Sequence, residues 1–98
     1  MVKNDSAAIA HTNLGTLFLN RGNDAEAKVH LARAAALQPD NIQYRSNYAA
    51  FYNNLGITRA RQGHLDEAAG LFEQALRINP DDPGARKNLN RVRGLRSR

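Results

Sequence analysis

The 98-residue chain carries 14 lysines and arginines against nine aspartates and glutamates, a formal net charge of +5, with 42% apolar residues and no cysteine. The missing thiols exclude disulfides and thiolate zinc sites, and no apolar run reaches the length of a membrane span or supplies the core of a signal peptide. A soluble chain is therefore expected, with the cytoplasm as its compartment, and the length suits one small domain rather than a large single core. The charge is unevenly placed. Residues 1–82 hold eight basic and nine acidic residues, whereas residues 83–98 hold Arg86, Lys87, Arg91, Arg93, Arg96 and Arg98 and no acid.

In chain order, Met1 to Ser6 reads as a lead-in, with Asp5 or Ser6 able to cap a first helix over about Ala7–Asn20 whose inward residues are Leu14, Leu17 and Phe18. Gly22 ends it. Asn23 and Asp24 cap a second helix reaching about Gln38, rich in alanine (Ala25, Ala27, Ala32, Ala34, Ala35 and Ala36), which gives strong intrinsic helicity but modest buried area. This first hairpin is expected to be the softer one. A long helix follows over about Ile42–Gln62, carrying Tyr52, Leu55 and Ile57 at helical spacing. Gln62, Gly63 and His64 break it, Gly63 by taking the left-handed conformation, and Asp66 and Glu67 place negative charge on the start of the next helix.

That fourth helix repeats Ala68, Ala69, Leu71, Phe72, Ala75, Leu76 and Ile78 on one side and stops before Pro80, which cannot donate to an i−4 carbonyl. Gly56, Ala68 and Ala75 are small residues that let two antiparallel helices approach, with Leu55 and Phe72 filling the space beside them. Pro80 to Pro83 makes a turn, and Gly84–Leu95 forms a last helix with Ala85, Leu89 and Val92 on one face and a basic opposite face.

Tyr52, Leu55, Gly56, Ala68, Phe72, Ala75 and Pro80 fall on the spacing of the tetratricopeptide repeat, a helix, turn, helix unit of about 34 residues, and the segment resembles that family. The same spacing upstream meets Leu14, Gly15, Phe18, Ala27, Leu31, Ala34 and Pro39. The resemblance implies an all-α fold of about five helices, antiparallel helix-turn-helix repeats stacked in a short right-handed α-solenoid. Repeat one covers 8–41, an insertion 42–48, repeat two 49–82, and a capping helix with a basic tail 83–98. His11 and Arg59 stand where the family favours large or aromatic residues. Leu14 and Leu55 are 41 positions apart, seven more than the repeat period. Seven residues are close to two helical turns, so the insertion extends the third helix and nearly preserves its face. About three repeats are the usual minimum for a stable array, and this chain supplies two and a cap.

No catalytic constellation emerges. His11, His30 and His64 are separated in sequence; antiparallel packing brings His11 and His30 into one hairpin, where two packing histidines are expected and no third metal ligand is evident. Ser6, Ser46 and Ser97 have no patterned base, and there is no glycine-rich phosphate loop. The expectation is a protein that is not an enzyme and needs no cofactor or metal. In the family the first helix of each hairpin lines a concave groove for a peptide or a partner's helix, so the resemblance nominates Thr12, Thr16, Asn20, Asn53, Ile57 and Arg61, continued by Lys87 and Arg91. Members that clamp the acidic tail of heat-shock chaperones use Lys and Asn where this chain has Thr12 and Thr16, while Asn54 matches the second-repeat Asn. That subtype is disfavoured.

The inserted stretch gathers Ile42, Tyr44, Tyr48 and Phe51, with Tyr52, into an aromatic overhang that either packs on the second helix of repeat one or offers a self-association surface, with Tyr44 expected exposed and Tyr52 packed. A protein or peptide partner is expected first and a homodimer second. Contact of Arg86 to Arg98 with nucleic acid or an anionic membrane ranks last, because that segment has no aromatic residue for base stacking. The ending Ala85 to Leu95 also resembles the close of repeat arrays in many bacterial multi-domain proteins, implying an excised segment or a small adaptor.

Overall fold

The computed structural model describes residues 5–97 and contains five helices: α1 (Asp5–Asn20), α2 (Asp24–Leu37), α3 (Ile42–Arg61), α4 (Leu65–Ile78) and α5 (Pro83–Arg96). The anticipated boundaries hold closely. Each tight reversal turns on a glycine with positive φ, Gly22 at 75° and Gly63 at 83°, a region that costs an L-residue with a Cβ. Asn23 caps α2 by accepting from the Glu26 amide, and Asp82 caps α5 by accepting from the Ala85 amide, with Pro83 in the first turn where its missing N–H costs nothing. At the other end of the chain the lead-in is shorter than expected. Asp5 and Ser6 are already helical, so Ser6 is no cap, and Met1–Asn4 lie outside the described residues, as does Arg98. The inserted residues 42–48 are helical from the outset of α3.

The chain forms two compact units, divided between Tyr48 and Ala49 within α3. In the first, α1 packs on α2 across Ala8, Gly15, Ala27, Leu31 and Ala34, all buried. Gly15 is required there: a Cβ would stand 2.8 Å from Cγ and Cδ2 of Leu31. Leu14 and Leu17 do not point into this seam, and both are exposed, by 38% and 43%. The reason is angular. At about 100° per residue, Leu14 sits on the flank of the strip defined by Ala8 and Gly15 and Leu17 lies on the far side, while Phe18 returns to the edge of the seam and is half-buried.

In the second unit Ala68, Ala69, Phe72, Leu89 and Val92 form the core, with Ile57, Ala60, Leu65 and Leu76 against it. Phe72 is 1% exposed and lies over Gly56, where an added Cβ would come within 2.6 Å of its ring. Ala85, Leu89 and Val92 are the buried face of α5, as their spacing requires. Ion pairs Arg59–Glu67 and Arg96–Asp66, both 2.9 Å, tie α4 to α3 and to α5 on the surface.

Candidate functional site

Three of the nominated groove residues meet in the second unit. Ile57 and Arg61 of α3 and Arg91 of α5 line one cleft of about 360 Å³ together with Ala60, Phe72, Asn88 and Val92. Its floor is apolar because Ile57, Phe72 and Val92 belong to the core that joins α3, α4 and α5. Its rim is basic because Arg61 and Arg91 are exposed on the two helices that flank it. Asn53 stands two turns before Arg61 on α3 and is tied to α5, its Oδ1 accepting from Nδ2 of Asn88 at 3.0 Å. Room for Asn53 comes from Gly84, whose missing Cβ would stand 3.3 Å from the Asn53 Nδ2. Lys87 is exposed on α5 and is not part of the cleft lining.

Thr12, Thr16 and Asn20 follow one another at four-residue intervals on α1 of the first unit. The Thr12 hydroxyl donates to the Ala8 carbonyl at 2.9 Å and the Thr16 hydroxyl to the Thr12 carbonyl at 3.0 Å, so both donors are held by their own helix. Asn20 is exposed.

The aromatic overhang is only partly available. Ile42 is 57% exposed, but Phe51 is 5% exposed, its ring edge-on to Tyr52 with centroids 5.2 Å apart. Phe51 therefore does not belong to a free surface. Tyr44 and Tyr48 are half-buried, so Tyr44 is less open than its place in the insertion suggests, and Tyr52 is buried as expected. The same segment holds a buried Arg45 Nε that has no hydrogen-bond partner among the described residues.

His11 and His30 do meet, Nδ1 to Nδ1 at 2.9 Å, in a stack that His30 continues onto Phe18. Among the described residues there is no group of three histidine, cysteine or acidic side chains able to hold a metal. On α5 two of the basic side chains are already engaged, Arg86 with the Pro80 carbonyl at 2.9 Å and Arg96 with Asp66.

The elements thus define a class: short antiparallel helical hairpins carrying a side-chain-lined cleft and no assembled catalytic group among the described residues. A tetratricopeptide repeat family model matches residues 5–81, and the chain belongs to that family. It is 32% identical over 92 residues to Protein O-mannosyl-transferase Tmtc3 of Drosophila melanogaster, a match covering 80% of this chain and 10% of that protein. It is 36% identical over 75 residues to TPR repeat-containing thioredoxin TTL4 of Arabidopsis thaliana, covering 76% and 10%. A shorter stretch of 40 residues is 45% identical to human Protein arginine N-methyltransferase 9, covering 41% and 5%. The chain spans about a tenth or less of the length of these relatives. Repeats of this family are a non-catalytic fold that generally mediates protein–protein interaction. No helix among the described residues is long and apolar enough to cross a membrane.

Proposed function

We propose that the chain is a non-catalytic scaffold that holds a peptide, or a helix of a partner protein, against the face of the second unit built from α3 and α5. The supporting observation is the cleft that joins Ile57, Arg61 and Arg91 over the apolar floor of Phe72 and Val92. A concave apolar site with a few convergent polar groups is the ordinary form of a recognition surface. Asn53 and Asn88 add amide groups that hydrogen-bond a peptide backbone in either direction. The test is to pan a random dodecapeptide library on the 98-residue chain and on the double variant Asn53→Ala, Arg61→Ala. Peptides enriched on the parent are expected to lose the variant, with helicity unchanged by circular dichroism. Equal capture by both chains would remove this face from the reading.

Self-association is a second reading, supported by a concentration of exposed large apolar residues in the first unit, among them Ile9, Leu14, Leu17, Leu37 and Ile42. Light scattering over a wide concentration range decides it: a rise from one chain mass to two is expected, and a constant mass of one chain would overturn it.

A further inference from the structure

Building on the peptide-binding reading, we infer that the cleft of the second unit selects an acidic peptide segment, a carboxylate followed or preceded within a few residues by a branched or aromatic apolar side chain. Of the described arginines of this unit, four are engaged and three are not. Arg59 bonds Glu67 and Gln62, Arg77 bonds Gln74, Arg86 bonds the Pro80 carbonyl and Arg96 bonds Asp66. Arg61, Arg91 and Arg93 have no hydrogen bond or ion pair from their side chains among the described residues; Arg61 and Arg91 are the two of these that stand on the cleft, and no acid lines it beside them. Two unmatched guanidinium groups at one concavity raise the local positive potential, and each offers a planar fork of donors that fits a carboxylate through two bonds. Residues 49–98 as a whole carry nine basic and five acidic side chains, so the surrounding charge has the same sign.

The rest of the cleft sets the remainder of the ligand. Its volume of about 360 Å³ is bordered by the half-buried Ile57 and Ala60, with Phe72 and Val92 closed off beneath, and so accommodates apolar side chains, which an inorganic anion would leave unfilled. Asn88, on the cleft lining, spends one amide N–H on the Asn53 Oδ1, so its Oδ1 remains an acceptor of the kind that meets a peptide N–H. Asn53 and Arg61 are eight positions apart on α3, about 12 Å along the helix, which an extended peptide spans in about four residues. A nucleic acid fits less well. Phe72 is 1% exposed and presents no face on which a base stacks.

The probe is the dodecapeptide library panned on the intact 98-residue chain, followed by synthesis of the enriched sequences. The expected sequences place Asp or Glu within about four residues of Leu, Ile or Phe. Replacing those acids by their amides, or the cleft arginines by Arg61→Gln and Arg91→Gln, is expected to weaken binding about tenfold or more, and added salt to weaken it further. Arg61→Lys and Arg91→Lys keep the charge without the fork, and their partial loss would separate recognition from a folding defect. Enriched sequences that are neutral or basic, or an affinity unchanged by amide replacement, would overturn the acidic preference while leaving peptide binding in place. Absence of any enrichment would instead remove the peptide-binding reading and this inference with it.

Discussion

The Nδ1 atoms of His11 and His30 lie 2.9 Å apart across the first hairpin, so one ring donates there and the other accepts. The neighbour that selects between them is Glu26, whose Oε2 is 3.9 Å from the His30 Nε2. A proton on that Nε2 faces the carboxylate, leaving the His30 Nδ1 as acceptor and making His11 the Nδ1–H donor. Nitrogen-15 spectra of the imidazoles are expected to show the two rings in opposite tautomers, His30 protonated at Nε2. Glu26→Gln is expected to blur that preference without unfolding α1 and α2. Identical tautomers for both rings would contradict the assignment.

Gly56 and Gly70 offer a matched pair of tests. A Cβ at Gly56 meets the Phe72 ring at 2.6 Å, whereas one at Gly70 meets nothing within 4 Å. Gly56→Ala is therefore expected to lose stability, because overpacking of about 1–3 kcal/mol exceeds a helix-propensity gain of about 1 kcal/mol. Gly70→Ala keeps only the gain, about 0.5–1 kcal/mol. Thermal melts should move in opposite directions, by roughly 4–8 °C for each kcal/mol.

The start of α5 depends on Asp82, whose Oδ1 accepts from the Ala85 amide at 3.1 Å. Asp82→Ala is expected to cost about 0.5–2 kcal/mol, and Asp82→Asn much less, since Asn caps as well. Hydrogen exchange of the α5 amides is the appropriate readout. Faster exchange in the alanine variant alone is the expected pattern.

Glu67→Gln tests how much the Arg59 ion pair contributes. The pair is 2.9 Å long, but both side chains are substantially exposed, 34% and 56%. Solvent screening then limits it to less than about 1 kcal/mol, and near 1 M salt the difference between parent and variant should vanish.

Turns and helix limits were legible in the sequence because they are set locally. Gly22, Gly63 and Asn23 each act through their own backbone or the next few residues, and the structure uses each where its chemistry predicts, while Pro83, read as the end of a turn, opens α5 instead. Leu14 and Leu17 were misjudged because apolar character marks a candidate for burial without naming the neighbour that does the burying. In the α1 and α2 seam that neighbour meets small residues, Ala8 and Gly15, and the leucines fall to the side. For Phe51 the sequence left packing and self-association open, and its burial goes with packing.

The cleft was half readable. Ile57, Arg61 and Arg91 followed from the repeat register, and the structure brings them together. Asn88, Ala60 and Val92 complete the lining, and Asn88 in particular was missed. Its signal is its place one turn before Val92 on the basic helix, which means something only once α3 and α5 are known to lie side by side at that height.

Tyr44, Tyr48 and Tyr52 follow one another at four-residue steps along α3, and the chain has no tryptophan. Its intrinsic fluorescence consequently originates in a single helix. An unfolding curve followed by tyrosine emission is a curve for α3, whereas far-ultraviolet dichroism averages over all five helices. Any gap between the two midpoints measures directly how far the remaining helices melt on their own.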